Sequence, residues 1–128
     1  AKLKRFIEEG CDVNKADEDG RTPAIIAAAN GQTAALEVLV KAGCDVNQMT
    51  KDGVTSAHAA ALEGHTAALE VLVRAGCDVN QADDDGVTPA FVAAQNGHTA
   101  ALDFLVKVGC DVNQADNEGT TPAFIAAQ

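Results

Sequence analysis

Along this chain small and branched apolar residues recur at helical spacing, and each apolar stretch is closed by glycine. Leu3, Phe6 and Ile7 stand at i, i+3 and i+4 in a first stretch that predicts a helix over residues 1–9, ended by Gly10. Ala24, Ala27 and Ala28 form the stripe of a second, opened by Thr22-Pro23 and stopped at Asn30-Gly31. Threonine caps free N–H groups and proline suits the first helical position. Leu36, Leu39 and Val40 mark a third helix, with Thr33 as its expected cap and Gly43 as its end. Between the helices, Asp19-Gly20 predicts the two-residue tip of a β-hairpin.

The same pattern then returns. Gly43-Cys44-Asp45-Val46-Asn47 is repeated from Gly10, Gly76 and Gly109, always 33 residues apart and without insertion or deletion. A fixed period of this size predicts an array of stacked units. The register divides the single domain 1–128 into the second half of a unit (1–15), full units at 16–48, 49–81 and 82–114, and the first half of a unit (115–128). Ordering one unit costs on the order of 50 kcal/mol, at about 1.5 kcal/mol per residue. A lone Ala-rich helix pair does not offset that, so the faces between units must be buried. The expected fold class is an all-α repeat solenoid of helix–turn–helix units with β-hairpin fingers.

Composition refines this. The hydrophobic share of 47% comes mainly from Ala, Val and Leu, with four Phe and neither Trp nor Tyr. A net charge of −10 argues against nucleic acid or an anionic membrane as partner. The four cysteines occupy equivalent positions of successive units, and packed helices stand roughly 8–10 Å apart. A disulfide needs Cα atoms within about 7 Å, so the expectation is four reduced, mostly buried thiols and a cytoplasmic setting.

The motifs resemble the ankyrin repeat. Asp17-Glu18-Asp19-Gly20-Arg21-Thr22-Pro23, Asn30-Gly31-Gln32 and the Gly-Cys-Asp-Val-Asn copies carry the likeness across essentially the whole chain. Cys stands where the family's motif has Ala, and Ala24, Ala57, Ala90 and Ala123 stand where it has Leu. His58 alone keeps the motif's histidine; Ile25, Phe91 and Phe124 replace it elsewhere, and Ser56 replaces a proline. The resemblance implies a protein–protein interaction scaffold without catalysis, contacting partners through finger tips and the exposed end of each first helix. By motif position the tips are Glu18, Asp19 and Arg21; Lys51, Asp52 and Val54; Asp84, Asp85 and Val87; and Asn117, Glu118 and Thr120. The helix-end positions are Ala29 and Asn30, Leu62 and Glu63, and Gln95 and Asn96. These positions vary between copies more than the Leu36, Leu39 and Val40 positions do.

Nine of the nineteen acids cluster at the fingers (Asp17, Glu18, Asp19, Asp52, Asp83, Asp84, Asp85, Asp116 and Glu118), beside only Lys15, Arg21 and Lys51. Such a ridge steers a basic partner, set against the plainer reading of a solvated edge. Asp83-Asp84-Asp85-Gly86 does not fit a calcium loop, because Gly86 at position 6 puts Gln81 at position 1 and Val92 at position 12. His58, His65 and His98 with the four cysteines do not suggest zinc, because equivalent positions such as His65 and His98 are a unit apart, too far to converge on one ion. No catalytic constellation, metal site or cofactor is expected. Phe91 and Phe124 are expected to pack between units. The alternative function is a structural one: head-to-tail self-association, in which the two incomplete end units of successive molecules complete one another.

Overall fold

The structure, a computed structural model, describes residues 12–128; the helix expected over residues 1–9, Gly10 and Cys11 lie outside them. Seven helices are present among the described residues: α1 (Pro23–Ala29), α2 (Thr33–Lys41), α3 (Ser56–Glu63), α4 (Thr66–Arg74), α5 (Pro89–Gln95), α6 (Thr99–Lys107) and α7 (Pro122–Ala127). Each odd-numbered helix starts from a threonine. The hydroxyls of Thr22, Thr55, Thr88 and Thr121 accept the backbone N–H three residues on, at 3.1–3.4 Å. Proline follows in α1, α5 and α7, while α3 begins with Ser56.

The Gly-Cys pairs end the even-numbered helices in one manner. Gly43 takes φ 87°, its N–H donates to Val40 O (3.0 Å), and the Cys44 N–H donates to Leu39 O (3.1 Å). This 6→1 and 5→2 pairing satisfies carbonyls that the helix end would leave bare. It recurs at Gly76-Cys77 and Gly109-Cys110.

The helices stand in two rows. α1, α3, α5 and α7 pack side by side, α2, α4 and α6 form the second row, and α1, α3 and α5 each pack on the even helix that follows. The interior is correspondingly elongated. Ala24, Ala28, Ala57, Ala60, Ala61, Ala90 and Ala93 fill the first row; Leu36, Leu39, Leu69, Leu72 and Leu105 fill the space between the rows, each at most 1% exposed. Alanine lets first helices approach closely, and leucine supplies the volume.

Three expectations are corrected. No strand forms among the described residues. Each finger is a three-residue loop: Gly20 N–H donates to Asp17 O, Asp17 N–H donates to Arg21 O, and only Gly20 has positive φ. That is the arrangement of a turn followed by a left-handed glycine, in place of a two-residue hairpin tip with two positive φ values. One closing hydrogen bond is too little for a ladder. The cap of α2 is Gln32, without a side-chain bond, and Thr33 is the first helical residue. Here the Thr33 N–H already donates to Gly31 O, at 3.0 Å. Finally, Cys44, Cys77 and Cys110 are free but half-buried, because the residue after the αL glycine sits at the helix end, where the layer of packed side chains thins.

Candidate interaction surface

The fingers are built by side chains that the sequence presents simply as charge. Asp17 Oδ1 accepts the N–H groups of Asp19 (3.0 Å) and Arg21 (2.9 Å). Asp83 does the same for Asp85 and Val87, and Asp116 for Glu118 and Thr120. In the second unit the Thr50 hydroxyl takes this role, accepting from Asp52 and Val54. The Asp17 carboxyl is held below its ordinary pKa of 3.8, first by the Arg21 N–H, against a smaller opposing effect of desolvation. Asp17, Asp83 and Asp116 are therefore framework residues, and the free tip acids are fewer than nine.

Adjacent fingers are joined through main chain. Lys51, Asp84 and Asn117 donate their N–H groups to the carbonyls of Asp19 (3.2 Å), Asp52 (3.0 Å) and Asp85 (2.9 Å). The Asn117 side-chain amide adds a bond to Asp84 O at 2.9 Å. The tips thus form one continuous ridge.

His58 ties the second unit to the third finger. Its Nε2 stands 2.7 Å from Val87 O, while Nδ1 faces the Thr55 N–H (3.1 Å) and hydroxyl (2.9 Å). With Nε2–H donating to the carbonyl, Nδ1 is the acceptor and the ring is neutral. The residue is 3% exposed, and burial pushes its pKa below 6.5, partly offset by the Val87 carbonyl and by Asp83.

All eighteen positions assigned to partner contact are exposed or half-buried. The structure brings several of them into two depressions along the finger side of the odd-numbered helices. One, of about 180 Å3, is lined by Val54, His58, Ala59, Leu62, Asp83 and Val92. The other, of about 520 Å3, is lined by Asp85, Val87, Phe91, Gln95, Asp116, Asn117, Glu118, Thr120 and Ile125. They are one feature repeated, since Val54, His58, Leu62, Asp83 and Val92 precede Val87, Phe91, Gln95, Asp116 and Ile125 by the unit length. Glu18, Asp19, Arg21, Ala29, Asn30, Lys51, Asp52, Glu63, Asp84 and Asn96 line neither.

Charge is distributed unevenly along the ridge. Arg21 sits 2.9 Å from Asp17 and 3.5 Å from Asp19. The second finger carries Lys51, whereas residues 82–87 and 115–120 hold Asp83, Asp84, Asp85, Asp116 and Glu118 with no basic residue. Negative potential is concentrated where the larger depression opens. Phe91 is 6% exposed, whereas Phe124, expected to pack between units, is 59% exposed on α7.

A second pair of depressions lies on the opposite row and was not signalled by the finger motifs. Glu37, Val40, Lys41, Val71, Arg74 and Ala75 line one of about 340 Å3; Glu70, Val73, Arg74, Phe104 and Val108 line its counterpart of about 350 Å3. The trace of it in sequence is an acid and a base four residues apart in each even-numbered helix (Glu37/Lys41, Glu70/Arg74, Asp103/Lys107). Lys107 reaches Asp103 at 3.0 Å, and Arg74 approaches Glu37 of the preceding unit at 3.8 Å. This face is charge-balanced, and its exposed pairs contribute little to stability.

Among the described residues, no group of three or more His, Cys, Asp or Glu is placed to hold a metal ion. His98 instead bonds Leu62 O through Nε2 at 2.9 Å. Burial raises the pKa of Cys44 and Cys110 and pushes that of Cys77 up to about 11, with the adjacent aspartates adding to it. A raised pKa leaves less of the thiolate, the nucleophilic form, at neutral pH.

Two rows of helices, a finger before each odd helix and a unit repeated in register define a helical repeat scaffold. A family model for ankyrin repeats (3 copies) matches residues 1–83 and 68–128, and the chain belongs to the ankyrin repeat family. No curated protein sequence matches it. Ankyrin repeats are generally protein–protein interaction modules and typically non-catalytic.

Proposed function

We propose that this chain is a non-catalytic scaffold that binds a basic partner protein through its finger ridge and the inner face of its odd-numbered helices. One observation carries the reading: the third and fourth fingers hold five acids and no base, directly beside a depression of about 520 Å3. A ridge of one sign beside a concave surface raises the encounter rate with an oppositely charged protein. Nucleic acid and anionic membrane are disfavoured by the same charge. The cysteine spacing supports a reducing, cytoplasmic setting.

The test is capture of a basic partner by the native chain and by the double variant Asp84→Lys/Asp85→Lys. Both side chains are exposed, so thermal stability should hold while capture is lost. Unchanged capture contradicts the proposal.

One observation favours head-to-tail self-association as a second reading. Phe124 is 59% exposed on α7, the helix whose Ala126 lines a depression of about 210 Å3 with Ala93, Ala94, Gly97, Thr99 and Leu102, and a second copy would cover them. Light scattering should then show mass rising with concentration; a strict monomer at millimolar protein excludes this reading.

A further inference from the structure

The two finger-side depressions differ in chemistry in a way that specifies a ligand more narrowly than charge does. The smaller is lined by Val54, His58, Ala59, Leu62, Asp83 and Val92. Its two polar side chains are already engaged, His58 with Thr55 and Val87 O and Asp83 Oδ1 with the N–H groups of Asp85 and Val87. Leu62 is 49% exposed there, an apolar side chain with no cover. The larger is bordered by Asp85, Asp116 and Glu118. α5 is their common wall, offering Val92 to one and Phe91 and Gln95 to the other. An apolar subsite and an acidic subsite therefore lie side by side, one unit apart.

We propose that this groove takes an extended segment of the partner in which an apolar side chain and an arginine or lysine stand three residues apart. The inference rests on the finger-face reading above and deepens it. Neighbouring helices stand roughly 8–10 Å apart. A polyproline-type segment repeats every three residues at about 3.1 Å per residue, so residues i and i+3 share a face about 9 Å apart. A flat β-strand does not match, since its same-face residues fall at about 7 Å or 13 Å. The apolar side chain fills the Val54/Leu62/Val92 subsite, and the cation meets the carboxylates of Asp85 and Glu118. Asp116 contributes less, because its Oδ1 already accepts two backbone N–H groups.

The probes are short fluorescein-labelled peptides rich in Pro and Ala, carrying one Leu and one Arg three apart in either order. Controls place the two residues adjacent, replace Leu by Ser, or replace Arg by Glu. Anisotropy titrations use the full chain, Leu62→Ser, and Asp85→Lys/Glu118→Lys. All three side chains are exposed, and the Leu62 carbonyl that accepts from His98 is retained. The matched peptide should bind the native chain about tenfold more tightly than the Leu→Ser or adjacent control, the fold-change expected for burying one leucine. Leu62→Ser should erase that difference, and Asp85→Lys/Glu118→Lys should invert the preference between Arg and Glu peptides. Binding that follows Arg alone, indifferent to Leu and to spacing, overturns this proposal while leaving the acidic-ridge reading standing. Binding indifferent to the charge at Asp85 and Glu118 overturns both. If no peptide binds at millimolar concentration, the proposal fails, and the capture experiment above decides the broader reading.

Discussion

The Asn47 side-chain oxygen accepts the backbone N–H of Asp78, one unit further along, at 2.8 Å. Asn14 does this for Asp45 at 2.7 Å, and Asn80 for Asp111 at 2.8 Å. Meanwhile Asp45, Asp78 and Asp111 each turn a carboxylate oxygen to the N–H two residues on. The repeated Gly-Cys-Asp-Val-Asn phrase is thus a clamp: glycine ends a helix, aspartate holds a turn, and asparagine reaches the next unit. Asn47→Ala should cost about 1 kcal/mol, since the Asp78 N–H it strands is partly open to water. Asn80→Ala, at a separate interface, should add to it in urea unfolding; loss confined to noise at both positions would show that asparagine does not clamp the units.

Glycines at equivalent φ separate backbone strain from contact between fingers. Gly76 (φ 89°) has no atom within 4 Å of an added Cβ, while at Gly86 (φ 79°) such a Cβ would meet Asn117 Oδ1 at 2.7 Å and Asn117 N at 2.8 Å. Both alanine variants carry the left-handed penalty of about 1–2 kcal/mol. Gly86→Ala must in addition push the third and fourth fingers apart. It should therefore unfold at clearly lower denaturant than Gly76→Ala, and equal midpoints would show that the fingers do not touch there.

His58 makes stability depend on pH. Its folded pKa lies below 6.5 through burial, so the unfolded chain binds a proton that the fold excludes. The stabilisation is complete above that value and is lost as pH falls through the lower, folded pKa. Protonated Nδ1 would also face the Thr55 N–H donor. Phe91 and Phe124 occupy the equivalent position in other units, which makes His58→Phe a fitting control. Between about pH 7 and pH 5 the native chain should lose more stability than His58→Phe; parallel pH profiles would contradict the neutral-histidine assignment.

Thiol reactivity reports on the same packing. With its pKa pushed up to about 11, Cys77 should alkylate more slowly at mildly alkaline pH than a free cysteine, and faster once urea unfolds the chain. Peptide mapping after brief alkylation checks this, and rapid labelling of native Cys77 would place it at the surface.

Much of the architecture could be read from the chain because its period is exact in register. The spacing of Leu36, Leu39 and the glycines after each helix locates the elements from the sequence alone. Side-chain roles were less legible. Asp17, Asp83 and Asp116 read as ridge charge, yet they hold their own turns, because an Asx bond and a solvated carboxylate have the same one-letter signature. Thr33 looked like a cap, although Gln32 occupies that position. Of the surface, sequence variation singled out Val54, Leu62, Asp85, Val87, Gln95 and Glu118, which line the finger-side depressions. It was silent on Val92 and Ile125, whose apolar character suggested burial.

Each unit leans only on its neighbours in the packing of the helices. Inserting a second copy of residues 49–81 after Gln81 tests it most directly, with helicity and thermal unfolding followed by circular dichroism. Helical signal per residue should be unchanged and the melting temperature higher, because one more interface is buried. A fall in helicity or melting temperature would mean that the chain closes around a shared centre that the insertion splits.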